Sequence, residues 1–344
     1  PFLLRSDHDA QLFRYYTTAQ LAIVAPGRAP RLVGAPAMYL DFSLSPDGRH
    51  ILRETIDEPF SDIVGFTSFG RRLEVIDMEG RVVSEIRKRP LQEGQQRGPG
   101  GDDDLPRDVT WRPDGKGLSV LWREPAARSS AAPAGDSAPR DGQPSAAGDA
   151  PARGDRLLLL EAPFDVATTQ TLATTEHRFA SVVYARDGRF AFATVARRST
   201  GNSSPGSGGR QDLVAYDLAA TPVASFVLKG NVNTADPLTL PGEVLTTMDA
   251  NGIASAIVSS DDSAVFLKGA GYTKTFTPQP FVDRVAIRSG ETTRIAPSAM
   301  ALATSAAPCA YTWPAPIALW PTSELPMSSS DGRPTAVPCA ASSV

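Results

Sequence analysis

One short pattern recurs four times along the chain: alternating apolar residues, a tight turn, then alternating apolar residues again. The clearest copies are Ser43-Leu-Ser-Pro-Asp-Gly-Arg-His-Ile-Leu52 and Asp108-Val-Thr-Trp-Arg-Pro-Asp-Gly-Lys-Gly-Leu-Ser-Val-Leu-Trp122. Ala180 to Thr194 repeats it around Asp187-Gly188, and Ala254 to Leu267 is a degenerate copy. Asp-Gly between such runs signals a hairpin, because Gly accepts φ > 0 and Asp bonds its own turn backbone. Pro46 and Pro113 precede the turn aspartates, where a fixed φ is wanted and no ladder donor is lost.

Each copy is followed by a second strand–turn–strand pattern. These are Arg72 to Ile86, Arg156 to Leu172, Asp212 to Leu228 and Val282 to Ile295. One unit is therefore four strands in two hairpins, and its repetition predicts an all-β chain: a partial β-propeller of about four four-stranded antiparallel blades. An irregular sandwich with coincidental hairpins is the plainer alternative. In register, the turn aspartates are Asp47, Asp114, Asp187 and Asp262, spaced by 67, 73 and 75 residues. A compact blade takes roughly 40–50 residues, so the excess lies in insertions. Residues 125–155 form a low-complexity Ala/Pro/Gly/Ser/Asp stretch, expected to be disordered because it cannot bury enough apolar surface to offset its ordering entropy. Residues 201–209 read as a shorter flexible loop. Asp7 to Ile23 suggests a helix capped by Asp7 or Asp9, or a short helix leading into an edge strand Gln20 to Val24.

The propeller pattern occupies residues 1–295 and stops there. Residues 296–344 are dense in Ala, Pro and Ser, hold only Glu324, Asp331 and Arg333 as charges, and show no strand alternation. They are expected to be a disordered tail. Either the tail is natural or the reading frame is lost near residue 296; the abrupt stop favours the second. The start, Pro1-Phe2-Leu3-Leu4, reads as the interior of a longer protein. Cytoplasmic and exported locations both stay open.

Composition narrows the partners. Net charge is −4 from 34 basic and 38 acidic residues, so no broad basic field is available for nucleic acid. No run of about 18 apolar residues offers a membrane helix.

The ordered segments "LLRSDHDAQLFRYYTTAQLAIV", "SLSPDGRHILRETIDEPFSDIV" with Pro59-Phe60-Ser61, "GRRLEVIDMEGRVV", "DRLLLLEAPF" and "QPFVDRVAIRSGETTRI" resemble the N-terminal propeller of prolyl oligopeptidase family serine peptidases, in the glutamyl-endopeptidase-like branch. The resemblance implies a propeller that gates and positions peptide substrate for a C-terminal α/β-hydrolase domain. That domain carries Ser, Asp and His, with the Ser in a G-x-S-x-G elbow. No such elbow occurs in this sequence: Gly135-Asp-Ser-Ala-Pro139 and Gly201-Asn-Ser-Ser-Pro205 both fail at the last Gly. The expectation is a propeller fragment inactive alone, meeting peptide only in a full-length enzyme, with a stand-alone protein-binding scaffold as the alternative. With terminal blades uncovered, the fragment is expected to be marginally stable.

No residue is assigned as catalytic, cofactor-binding or metal-binding. His50 is expected to be a half-exposed strand residue after the Asp-Gly turn, and His8 and His177 sit in polar turn contexts, none beside an activated Ser. Asp102-Asp103-Asp104 reads as a solvated acidic stretch rather than a calcium loop. Arg71-Arg72 and Arg87-Lys88-Arg89 read as solubilising charges beside strands, with recognition of peptide carboxylates as the sharper alternative. Cys309 and Cys339 are too few for a zinc site.

Overall fold

The computed structural model describes residues 3–93, 104–124, 153–197, 209–234, 236, 242–272, 275, 277–297 and 317–321. It begins with helix α1 (Asp7–Thr17) and strand β1 (Thr18–Ile23). Three antiparallel four-stranded meanders and a fourth, irregular four-stranded sheet follow in chain order. Blade one is β2 (Arg31–Leu44), β3 (His50–Asp57), β4 (Gly70–Asp77) and β5 (Val82–Arg89). Blade two is β6 (Arg107–Trp111), β7 (Leu118–Arg123), β8 (Asp155–Leu160) and β9 (Gln170–Thr175). Blade three is β10 (Arg178–Tyr184), β11 (Phe190–Arg197), β12 (Arg210–Asp217) and β13 (Ala224–Asn233). Blade four departs from the meander. Its sheet is β14 (Glu243–Val244), β17 (Ala264–Gly269), β18 (Phe281–Ala286) and β19 (Thr292–Pro297). A short hairpin of β15 (Thr246–Met248) and β16 (Ala254–Ala256) lies beside it.

The run Leu157-Leu-Leu-Leu160 shows why the sheets stack as blades. All four side chains are buried, so both faces of β8 must be covered. Leu158 and Leu160 pack with Leu52, Leu73 and Val75 of blade one. Leu157 packs the other way, with Phe179, Ala193 and Val214 of blade three. Strand β11 repeats the device: Ala191 and Ala193 face blade two, while Phe190 and Phe192 face Val265, Leu267 and Val285 of blade four. Burying each large side chain contributes about 1.5–3 kcal/mol. The blade-by-blade order of these cores is that of a β-propeller.

Four differences from the sequence reading have physical causes. The fourth turn aspartate is Asp261, not Asp262. Asp261 Oδ1 accepts from Ser259 Oγ (2.6 Å) and Ser263 N (3.1 Å), as Asp47 Oδ1 accepts from Ser45 Oγ (2.6 Å) and Arg49 N (3.1 Å). Asp262 takes the glycine position, with φ 55° against 68° at Gly48; Asp is among the few residues that tolerate it. The cap of α1 is Ser6, whose Oγ accepts from Asp9 N at 3.2 Å. Asp7 and Asp9 instead occupy the first turn, where carboxylates favour the helix dipole.

The third difference is at β1, which is no edge. It pairs with β2 on one side and with β20 (Ile317–Pro321) on the other, through Gln20↔Trp320 and Ala22↔Ala318. Part of the segment read as strandless therefore forms a strand. Fourth, Arg153, Gly154 and Asp155 lead into and begin β8, so the structured chain resumes before residue 155. The remaining insertion, the loop 201–208, Asp102 and Asp103, and both cysteines lie outside the described residues.

Pro59-Phe60-Ser61 anchors α1. Phe13 meets the Phe60 ring edge-on at 5.2 Å, and Phe60 stacks on Phe69 at 5.3 Å. Ser61 Oγ accepts from Ile63 N and Val64 N.

Candidate functional site

The first strands of blades one, two and three each carry a register shift. The shifts lie between Tyr39 and Asp41, between Arg107 and Thr110, and between Phe179 and Ser181. Such bulges bend a strand and re-aim its side chains. The residues that follow converge on one cavity of about 360 Å³, lined by Asp41–Ser43, Asp108–Trp111, Val182–Tyr184 and Gly252–Ala254. Leu52, Leu73, Glu54 and Arg87 complete its wall.

Three carboxylates and one guanidinium line this cavity. Arg87 Nη2 donates to Glu54 Oε1 at 2.8 Å, and Arg87 Nη1 donates to the Pro106 carbonyl at 3.0 Å. That pair is internally neutral, which leaves Asp41 and Asp108. Asp41 Oδ1 accepts from Phe42 N at 2.8 Å. Asp108 has a left-handed backbone, φ 50°. Burial pushes its carboxyl above the usual range, opposed by a hydrogen bond from Val182 N and by Arg107. Trp111 is fixed by an Nε1 bond to the Ser43 carbonyl at 3.2 Å. The cavity therefore pairs an indole and aliphatic wall with two carboxylates, Asp41 and Asp108, that form no salt bridge among the described residues. Among the described residues no histidine, cysteine or lysine lines it, so they form no nucleophile–base pair of the acyl-transfer kind there.

The turns beside this cavity interlock. Arg112 donates to Asp114 through Nε (3.0 Å) and Nη2 (2.6 Å), and to the Gly188 carbonyl of blade three at 3.1 Å. Its guanidinium lies 4.7 Å from the Tyr184 ring centre. Tyr184 OH and Ser119 Oγ share a 2.7 Å hydrogen bond, and burial pushes the phenol up to about 12. Arg189 Nη1 reaches Asp262 Oδ2 of blade four at 3.2 Å. Asn251 Nδ2, in the blade-four hairpin, donates to the Ser45 and Pro46 carbonyls of blade one at 3.1 and 3.2 Å. Contacts thus run from blade one round to blade four and back.

The residues singled out in the sequence fall elsewhere. His50 packs edge-on against Phe164 at 5.1 Å. His8 is exposed on α1, and neither it nor His177 lines the cavity. Among the described residues no group of His, Cys, Asp or Glu could hold a metal. No described helix is long and apolar enough to cross a membrane. Most residues of the basic clusters are tied to neighbours, while Lys88 is exposed. Arg72 bonds Asp57 at 2.9 Å, Arg71 and Arg89 each bond the Thr67 carbonyl, and Arg87 belongs to the cavity wall. The sequence reading missed Asp41 and Asp108, although Asp108 opens the second repeat; an acid at that place was the available signal.

No family model matches the chain. Over 122 residues the chain is 31% identical to a probable chloroplastic glutamyl endopeptidase of Oryza sativa subsp. japonica and 32% identical to its Arabidopsis thaliana counterpart. The chain resembles the glutamyl endopeptidases. The match takes in 36% of this chain but only 13% and 12% of those proteins. Among solved structures, an acylaminoacyl peptidase of Pyrococcus horikoshii aligns over 80% of this chain and 35% of its own, at 11% identity and TM-score 0.37. The β-propeller domain of the Trilobed protease from Pyrococcus furiosus, described as having an open velcro topology, aligns over 80% and 67%, at 13% identity and TM-score 0.36.

Proposed function

We propose that this chain is the propeller part of a prolyl-oligopeptidase-type serine peptidase, where it admits and positions peptide substrate and performs no hydrolysis by itself. One observation carries the reading: the bulged first strands surround one cavity in which, among the described residues, Asp41 and Asp108 form no salt bridge and no histidine, cysteine or lysine lines the wall. The cavity holds the peptide's amino end or a basic side chain against Asp41 and Asp108, with Trp111 beneath its apolar portion. Similarity to glutamyl endopeptidases supports the peptidase context.

Calorimetric titration with a tetrapeptide bearing a free amino terminus tests this. The free amine is expected to bind at least tenfold more tightly than the N-acetylated peptide. Asp108→Asn is expected to remove that preference. Because Asp108 titrates above the ordinary carboxylate range and must be ionised to attract the amine, affinity should rise with pH above that range. Equal binding of both peptides, or hydrolysis of a fluorogenic peptide by the chain alone, would overturn the proposal.

A second reading, a self-contained protein-binding scaffold, is favoured by two contacts: β20 on β1, and Asn251 on the blade-one turn. In that case the chain melts cooperatively as a monomer without any hydrolase domain.

A further inference from the structure

The tip of the β15–β16 hairpin reads Asp249-Ala-Asn-Gly-Ile253. Asp249 N donates to the Ile253 carbonyl and Gly252 N to the Asp249 carbonyl, each at 3.1 Å. Asp249 Oδ1 accepts from Asn251 N at 2.8 Å and from Ile253 N at 2.9 Å. Gly252 takes the left-handed position, φ 78°, and is exposed, with nothing within 4 Å of where a Cβ would stand. The tip joins two features of the fold. Asn251 holds the blade-one turn, and Gly252–Ala254 form one wall of the central cavity.

Asn251 is followed by glycine, whereas Asn202, Asn231 and Asn233 precede Ser, Val and Thr. Asparagine amides are thermolabile. Their loss runs through the backbone, because the amide nitrogen of the next residue attacks the side-chain Cγ. A side chain on that next residue crowds the attack, and glycine has none; its backbone also turns most freely into the attacking geometry. Three hydrogen bonds stand in the way here. Gly252 N must leave the Asp249 carbonyl, and Asn251 Nδ2 must leave Ser45 and Pro46. All three belong to a short hairpin tip reached by water, the kind of element that opens locally while the rest of the fold stays closed.

We propose that Asn251-Gly252 is a self-modifying site, at which deamidation of Asn251 unlocks blade four from blade one. Gly252 N forms a bond to Asn251 Cγ. The Cγ–Nδ2 bond breaks, and Nδ2 leaves as ammonia with the Gly252 amide proton. Water then opens the succinimide at Cγ, giving aspartate, or at the main-chain carbonyl carbon, giving isoaspartate. Nothing is oxidised or reduced. Either product exchanges an amide donor for a carboxylate, which accepts hydrogen bonds and donates none. Where Nδ2 held the Ser45 and Pro46 carbonyls at 3.1 and 3.2 Å, an anion then faces two oxygens. Isoaspartate also lengthens the main chain by one carbon just before Gly252–Ala254, so the cavity loses the hold on that wall. The effect on ligand binding rests on the peptide reading of the cavity; the modification itself does not.

The test ages the full chain at mildly alkaline pH and maps it after trypsin digestion. Asn231, Asn233 and Asn251 fall in one tryptic peptide, between Lys229 and Lys268, so the first two serve as internal controls. Asn251 is expected to convert roughly tenfold faster than either, because it alone precedes glycine. Fragment masses locate the product, and isoaspartyl methyltransferase labelling identifies isoaspartate. The aged chain and Asn251→Asp are expected to share a urea midpoint below that of the fresh chain. Asn251→Gln, whose longer side chain closes an imide ring slowly, should resist ageing. The aged chain should also bind the free-amine tetrapeptide more weakly than the fresh chain does. Mapping needs no variant, so the test survives if a substituted chain does not fold. Conversion of Asn251 no faster than that of Asn231 or Asn233, or an aged chain with the midpoint of the fresh one, would overturn the proposal. If the fresh chain fails to distinguish the free from the acetylated peptide, the peptide reading falls, while the mass and midpoint results still decide the modification.

Discussion

Arg112 and Arg156 stand at opposite ends of blade two and differ in every respect but residue type. Arg112 is 3% exposed, forked onto Asp114, bonded to the next blade and stacked on Tyr184. Arg156 is half-buried and makes no hydrogen bond or ion pair among the described residues. The first is an internal brace between blades. A residue's hydrogen-bond account, more than its burial, separates structural cations from available ones.

The largest effect should come from breaking the brace. Arg112→Ala leaves the Asp114 carboxylate, 6% exposed, without its buried cation and with only the exposed Lys116 ammonium at 3.8 Å. Removing one partner of a buried pair typically costs about 3–5 kcal/mol. A urea titration should show that loss as a lower midpoint, whereas a change under about 1 kcal/mol would mean that water replaces the guanidinium. A smaller effect is expected at Gly188. An added Cβ there would stand 2.0 Å from Asp114 Oδ2, at φ 71°. Gly48 has nearly the same φ, 68°, with nothing within 4 Å of the corresponding Cβ. Gly48→Ala should thus cost only the backbone strain, about 1 kcal/mol, and Gly188→Ala roughly 1–2 kcal/mol more. Equal losses would show that Arg112 and Asp114 yield without cost.

These pairs also show what could be read from the sequence. Strand alternation and Asp-Gly turns made the four-blade repeat visible, since both are local signals. In the fourth copy the Gly is replaced by Asp262, and the reading slipped by one residue because the aspartate pair offers two candidates. Serine at positions 259 and 45 was the discriminating cue: its hydroxyl marks which Asp closes the turn. The central cavity was harder to see. Asp41 and Asp108 reach it only because a bulge shifts each strand by one residue, and alternation alone assigns such residues to a face without that correction. The unpaired state of the Arg156 Nε among the described residues was invisible, because an arginine that begins an apolar strand looks the same with or without an acceptor across the fold. β20 lacked apolar–polar alternation, and its pairing depends on the partner strand rather than on its own pattern.

The brace can be probed without removing it. Burial pushes both Tyr184 and Tyr216 up to about 12, from an ordinary value of about 10. As pH rises past 10 the unfolded chain releases these protons first, so stability is unaffected below that point and is lost progressively between about pH 10 and 12. Each phenol contributes up to about 1.4 kcal/mol per pH unit in that window. Tyr184→Phe should flatten the slope by one such contribution, read from urea midpoints at pH 9.5, 10.5 and 11.5. An unchanged slope would mean that the Tyr184 phenol, despite its bond to Ser119, ionises in the folded chain as it does in the unfolded one.

The smallest expected effect is the sharpest contrast with Arg112. Arg156→Gln removes a positive charge from a half-buried site, yet it breaks no bond. Glutamine is shorter, so the strain of holding a sealed Nε without an acceptor disappears with it. Loss of the stem's packing on Trp122 works in the opposite direction. The two terms are of similar size, so the midpoint should shift by no more than about 0.5 kcal/mol. A loss of 2 kcal/mol or more would place Arg156 with Arg112 among the braces, and would require a hydrogen-bond acceptor for it within the chain.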